Sequence, residues 1–347
     1  MNEDIKKCRL CLVKDATKTG SHIVPQFLIQ RYENIESKKG RGYDISFDIG
    51  GLTSKAHLGQ SVLENQYKPI FGEFTQEDIE KNTHSLIEDE YFCPRCENRF
   101  SMVEKVYADT ISHFDKKGQP KEIPNEIGIL LWCSVFWRLA EQRSEAMHFT
   151  DEEMEQMRSV LDECLPEEKE KPNIEKIRLH MGIQKLSYAH VRCETNKDIS
   201  KFLWVHPEYT KPHAIIIADQ ITLFSLDGDY SDRYTGNFLG IENYVQQAPI
   251  NKVGQNESFI IIPSEKFEKI IKPINEYAAK IRIENLFDFF DIVYGNLTQS
   301  KKPMPCFMKM EIISNLALGE TKLGRRYTQE EIMNNIKKIL VKYGKPE

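Results

Sequence analysis

Long hydrophobic runs are missing from this chain. The longest apolar stretches, around residues 127–136 and 214–217, fall short of the ~20 residues that a membrane-spanning helix needs. The opening MNEDIKKCRL lacks the apolar core of a secretory leader. A soluble, cytoplasmic protein with no membrane partner is therefore expected. A large excess of one charge sign is lacking too, because the net charge is only -6 over 347 residues. That excludes a bulk polycation that coats nucleic acid, while leaving room for a local basic patch. Internal repeats and low-complexity tracts are absent, which argues against a solenoid. What remains is a globular composition, with 40% hydrophobic residues to build cores. The length implies two or three domains.

Evenly spread cysteines are also lacking. Of eight, Cys133, Cys164, Cys193 and Cys306 are scattered singles, and the other four form two C-x2-C pairs, Cys8/Cys11 and Cys93/Cys96. In a reducing compartment, paired cysteines point to a metal and single ones to small buried side chains. A C-x2-C turn presents two thiolates to one ion, and structural zinc takes four ligands in a tetrahedron. Cys8, Cys11, Cys93 and Cys96 are thus expected to hold one structural Zn²⁺. The long insertion between Cys11 and Cys93 means that only the fold can close such a site. The alternatives are four buried thiols, or two half-sites completed by His22 or His84.

Local patterns place these motifs. Residues 21–25 (SHIVP) read as a short strand, and residues 26–32 as a helix with Pro25 at its first position. Residues 34–59 read as a long loop with one strand at 43–49, and residues 75–81 as a short helix. The second knuckle opens a helix through Phe100, Val103, Tyr107 and Ile111. Residues 115–124 form a linker. Asn125–Gln142 is an apolar helix whose Trp132, Phe136 and Trp137 are expected in the core. A second helix, 150–164, is capped by Thr150 with Glu153 three residues later, and 174–181 is a third. Beyond residue 200, strands are expected at 214–218, 221–226 and 258–263, with a turn at 227–229. Helices follow at 265–272, stopped by Pro273, at 278–291 and at 329–343. The expected fold class is α+β: a zinc-knuckle module over 1–115, a helical region over 116–200, and a mixed α/β domain over 201–347.

Between the knuckles lies Gly20-Ser21-His22-Ile23-Val24-Pro25, and after the second comes Glu97-Asn98-Arg99-Phe100. This order resembles the zinc-bearing branch of the HNH, or ββα-metal, nuclease family over roughly residues 6–112. More narrowly, it is similar to bacterial proteins sharing the pattern CxxC…SHxxPxF…CxxCExxFSxxE. The resemblance implies a metal-dependent endonuclease acting on nucleic acid, with DNA favoured, and a role as a bacterial defence effector. It implies His22 as general base, and Glu97 as ligand of a catalytic Mg²⁺ or Mn²⁺. Asn98 would orient His22 or the phosphate, Glu104 would be a further ligand of the same cation, and Arg99 would hold a phosphate. Where the family has an aspartate before the histidine, this chain has Ser21. Glu88, Asp89 and Glu90 fill the stretch where an asparagine is usual.

Each residue also has a plainer role. His22 could pin its loop, Glu97 and Asn98 could cap the helix, and Glu104 could be a surface acid or the partner of a nearby base. Arg138 and Arg143 are expected to pair with nearby acids. Lys301, Lys302 and the KLGRR stretch at 322–326 are expected in solvated loops, or against phosphates. GNFLG at 236–240 lacks the lysine and hydroxyl of a phosphate loop. The rival functions are a non-catalytic zinc-stabilised module that binds nucleic acid or protein, and a regulatory protein whose C-terminal half takes a protein partner or a small molecule.

Overall fold

The computed structural model describes residues 6–18, 20–33, 45–49, 54–58, 84, 86–142, 147–195, 203–205, 210–230, 236, 238, 240–323 and 329–343. Their order is β1 (Ser21–His22), α1 (Gln26–Glu33), β2 (Ile45–Ile49), β3 (Ser54–Leu58), β4 (Ile87–Glu88), α2 (Pro94–Lys117), α3 (Asn125–Gln142), α4 (Asp151–Cys164) and α5 (Ile174–Leu179). Then come β5 (Ser187–Cys193), β6 (Leu203–Val205), β7 (His213–Ile217), β8 (Gln220–Ser225), α6 (Glu242–Gln247), β9 (Ile260–Ile262), α7 (Ser264–Thr298), α8 (Cys306–Leu323) and α9 (Gln329–Tyr343). The architecture is mixed α+β. No described helix is long and apolar enough to cross a membrane.

The chain forms two compact units, one of residues 1–35 and 85–274, the other of residues 36–84 and 275–347. The boundaries expected near 115 and 200 fall inside the first unit. The reason is packing: α3 lies against α2, α4, α5, β5 and β8, so the helical middle and the sheet share one core.

Helix α3 is the axis of that core. Every residue from Asn125 to Ala140 is buried, which a helix achieves only when neighbours surround it. The expected stripe of Trp132, Phe136 and Trp137 is core, as the aromatic spacing implied. Gly128 is where strand β5 comes closest: a Cβ there would stand 1.9 Å from the Tyr188 hydroxyl. Helix α4 begins on the expected capping box, with Thr150 Oγ1 accepting from Glu153 N and Glu153 Oε2 accepting from Thr150 N.

The sheet of the first unit has the order β6-β7-β8-β5-β9, with only β5–β9 parallel. Its two faces are both buried. Tyr188, Ile215, Ile217 and Phe224 join the core around α3, while Ala189, Val191, Ala214, Ile216, Ile221 and Leu223 join a second core with α6 and the start of α7. The unexpected strands are β5 and β6. In β5 (SYAHVRC) all seven residues are buried, and polar His190 and Arg192 point into the protein, which hides the usual apolar signal.

Pro273 does not stop a helix, contrary to expectation. Helix α7 runs from Ser264 to Thr298 with Pro273 inside it. An interior proline costs about 3 kcal/mol. Ile270, Ile271 and Ile274 are buried on both sides of it, and burying each contributes roughly 1.5–3 kcal/mol, so continuity wins. In the second unit, α8 was not anticipated either. Phe290, Val293 and Tyr294 of α7, Met308 and Ile312 of α8, and Ile336, Ile339 and Leu340 of α9 form its core. There β2, where one strand was expected at 43–49, pairs antiparallel with β3, which falls in the part of that stretch read as loop. The expected helix at 75–81, Arg143 and the KLGRR stretch lie outside the described residues, and GNFLG at 236–240 does so in part. Lys301 and Lys302 are exposed between α7 and α8.

Candidate metal centre and neighbouring polar clusters

The first knuckle is a tight hairpin. Cys8 N donates to Lys14 O at 2.8 Å, Ala16 N to Lys6 O at 2.9 Å, and Leu12 N to Cys8 O at 2.9 Å. It lies along the chain leading into the second knuckle, through Arg9 N to Tyr91 O at 3.0 Å and Thr17 N to Phe92 O at 3.1 Å. The second knuckle is a helix start: Cys93 is the N-cap of α2, Pro94 follows inside the first turn, and Cys96 lies within that turn. Exposed backbone N–H groups and the helix dipole favour thiolates at this place. The insertion between Cys11 and Cys93 is thus closed by backbone pairing, as the single-site expectation required.

The result is four thiols whose sulfur atoms all lie within 4.8 Å of one another. None is in a disulfide. Hydrogen bonding from Cys96 draws the Cys8 thiol down to about 4, against its burial, and the same contact pushes Cys96 up. Burial pushes Cys93 up. Four sulfurs this close cannot all ionise unaided, and a divalent ion that prefers sulfur relieves the crowding. The donor set fits zinc. Among the described residues no other group of three or more His, Cys, Asp or Glu side chains is close enough to hold an ion.

Beside this centre, β1 pairs antiparallel with β4, Ser21 opposite Glu88 and His22 opposite Ile87, and α2 follows. A Cβ on Gly20 would stand 2.4 Å from Ile87 Cγ2, so the approach of the two strands needs glycine there. His22 Nε2 contacts Gln26 Oε1 at 2.8 Å. An amide oxygen accepts, so Nε2 carries the proton and Nδ1 the lone pair. Helix α1, which follows, is tied down by Arg31. Its guanidinium donates to Asp219 at 2.9 and 2.5 Å and to Asp115 at 2.7 and 3.1 Å.

Arg138, a cation of the protein itself, binds the main-chain carbonyl of His22 and the carboxylate of Glu104, and its charge also reaches Glu97. That buried guanidinium donates to the His22 carbonyl at 2.7 Å, to Glu104 Oε1 at 2.9 Å and to Ser134 O and Oγ at 3.1 Å each, with its carbon 4.9 Å from the Phe100 ring centre. The expected pairing of Arg138 with an acid is therefore with Glu104. Glu97 is mostly buried beside the buried Ser21 hydroxyl, which favours its charged form, although neither Glu97 Oε1 nor Ser21 Oγ makes a well-formed hydrogen bond. Burial pushes the Glu97 carboxyl up, opposed by Ser21 and Arg138 and reinforced by Glu104 and Cys8.

Asn98 and Arg99 go elsewhere. Asn98 is exposed and donates to Glu168 at 3.3 Å rather than to His22. Arg99 is buried and committed: Nη1 donates to Asp162 Oδ1 at 2.7 Å, Nε to Pro166 O at 3.2 Å, and Nη2 to the carbonyls of Leu165 and Asp162. It fastens α2 to the end of α4 and is not open to a phosphate. Successive helical residues point about 100° apart, so only Glu97 of the three faces β1.

A second polar centre was not anticipated. The Tyr107 hydroxyl donates to Glu257, accepts from Trp132 Nε1 at 3.2 Å and Arg192 Nη2 at 2.8 Å, and lies 3.0 Å from His190 Nε2. His190 Nδ1 meets Thr222 Oγ1 at 3.0 Å, and the Tyr188 hydroxyl donates to Glu257 at 3.1 Å. Burial lowers His190 to about 4, in spite of Glu257. Burial also pushes Glu257 up, but Arg192, His190 and Tyr107 together bring it to about 2. These groups come from α2, α3, β5, β8 and the segment before β9, so no short motif signals them. The centre is buried, and its groups satisfy one another apart from Arg192 Nε; it joins four elements and the segment before β9. Compared with family models, with curated proteins and with solved structures, the chain matches none.

Proposed function

We propose that Cys8, Cys11, Cys93 and Cys96 hold zinc, and that β1, β4 and α2 make a ββα-like module that hydrolyses nucleic-acid phosphodiesters, with DNA favoured. The observation that carries this reading is the mostly buried Glu97 carboxyl, whose Oε1 makes no well-formed hydrogen bond, beside Ser21 on the strand of His22. A buried carboxylate oxygen without a well-formed hydrogen bond costs about 1–3 kcal/mol or more, a cost that a ligand there would remove. The residues present fit a cation held by Glu97, water and a substrate phosphate, which is the usual mode of Mg²⁺ or Mn²⁺. When bound, such an ion would stabilise the leaving oxygen. Glu104, held by Arg138, orients that guanidinium instead of ligating. His22 takes the proton of the attacking water at Nδ1, while Gln26 fixes its tautomer.

A second reading, a zinc-stabilised module that binds nucleic acid or protein without turnover, is favoured by Arg138. Its charge already neutralises Glu104, and Asn98 faces Glu168. Degradation of plasmid and of RNA with Mg²⁺ or Mn²⁺ separates the two. Under the first reading, His22→Ala and Glu97→Gln each lower the rate about 100-fold or more while zinc content stays intact. Equal rates in wild type and His22→Ala, or none with either metal, leave the second.

A further inference from the structure

The first knuckle concentrates positive charge in an acidic protein. Between residues 6 and 18 it carries Lys6, Lys7, Arg9, Lys14 and Lys18 against the single acid Asp15, in a chain of net charge -6. All five cations are exposed. Set against them are Asp15, the two net negative charges of a zinc tetrathiolate and, as ion-pair partners, Glu90 and Glu141, so the patch is basic in its most exposed side chains rather than in its total charge. Their ion pairs are mostly long and wet: Lys6–Glu90 at 3.7 Å, Lys18–Glu90 at 3.8 Å and Arg9–Glu141 at 3.8 Å. Exposed pairs of this kind contribute about 0–1 kcal/mol and yield to a stronger anion. Lys7–Asp15 is close, at 2.6 Å.

The tip of the same hairpin is apolar. Leu12 is 54% and Val13 74% exposed, and Leu12 holds a left-handed φ of 58°. A leucine is costly in that conformation, yet it is presented to solvent. The hairpin is tied down beneath its tip: Arg158 Nη1 donates to the Leu10 carbonyl at 2.7 Å, and Arg9 N and Thr17 N donate to the carbonyls of Tyr91 and Phe92.

We infer that this knuckle is a docking surface for a nucleic-acid backbone, with Lys6, Arg9 and Lys14 on phosphates and Leu12 and Val13 against the sugar and base edges of a groove. Cations beside an apolar wedge match the alternating charged and apolar surface of a nucleic acid. The inference rests on the proposed nucleic-acid partner but needs no hydrolysis.

The test uses the zinc-loaded full chain carrying His22→Ala, without divalent ions, against a labelled DNA duplex and a labelled single-stranded RNA, titrated between about 50 and 200 mM salt. Adding Lys6→Gln, Arg9→Gln and Lys14→Gln should weaken binding about tenfold or more, and make the slope of log K against log salt shallower by about three contacts' worth. Leu12→Ser with Val13→Ser should weaken binding severalfold and leave the slope unchanged. Unaltered affinity and slope in the triple variant, with zinc content and Tm preserved, overturns the inference. So does competition by a polyglutamate peptide as effective as that by either oligonucleotide, or no binding to either. Binding that behaves as expected in a chain that never cleaves, His22 restored, sinks the nuclease reading and leaves this surface standing.

Discussion

The two polar centres of the first unit solve opposite problems. The four-cysteine centre is built from two short local motifs, held by backbone pairing, and its four close sulfurs could hold a metal ion. The Tyr107–His190–Arg192–Glu257 centre is built from side chains as far apart as residues 107 and 257, and finds its partners within the chain, Arg192 Nε apart. On the proposed reading the first concentrates stability in a metal, which a chelator would remove. The second distributes stability over hydrogen bonds in a dry core, so it fails when one partner is deleted or protonated.

The largest effect should come from the metal side. Cys93→Ala, or a strong chelator, should unfold the knuckles and the start of α2, since structural zinc supplies about 10–16 kcal/mol in small domains; helical circular dichroism and zinc content read this directly. Next, Glu257→Gln leaves Arg192 buried and uncompensated, and a loss of roughly 3–5 kcal/mol is expected in denaturant unfolding. If that loss is no larger than for an exposed glutamate, the second centre is not a stability element.

The pH dependence sharpens the contrast. His190, facing Glu257, Arg192 and Tyr107, and His213, facing Glu153, Lys211 and His148, are each held by burial near 4. In the unfolded chain both protonate near the ordinary value of about 6.5. The unfolded state therefore binds more protons between these values, and stability falls as pH drops from about 6.5 to about 4. Each contributes up to about 3 kcal/mol. His190→Gln should flatten the curve in that window. The smallest effect is steric. Gly128→Ala drives a methyl into the Tyr188 hydroxyl and should cost roughly 1–3 kcal/mol, without changing zinc content.

What the sequence revealed follows the same division. The cysteine pairs, the Thr150–Glu153 box and helix α3 are local signals, and the structure places them as read. Strand β5 was hidden because His190 and Arg192 turn inward to a network whose other members are distant in sequence. Pro273 misled because a local rule was outweighed by the burial of Ile270, Ile271 and Ile274. At the candidate site, the nearness of Glu97 to the strand of His22 follows motif order, and its contact is with Ser21. The directions of Asn98 and Arg99 were not, because their partners Glu168 and Asp162 belong to α4 and the segment after it. Arg138, which joins His22 to Glu104, was readable only as a base in want of an acid.

The central claim is that one ion gathers four thiolates from two distant knuckles. X-ray absorption at the zinc edge on the purified full chain tests it most directly. The account predicts one zinc per chain with a shell of four sulfurs at about 2.3 Å. A shell containing nitrogen or oxygen ligands, or protein that is folded and metal-free with these thiols titratable, would contradict it.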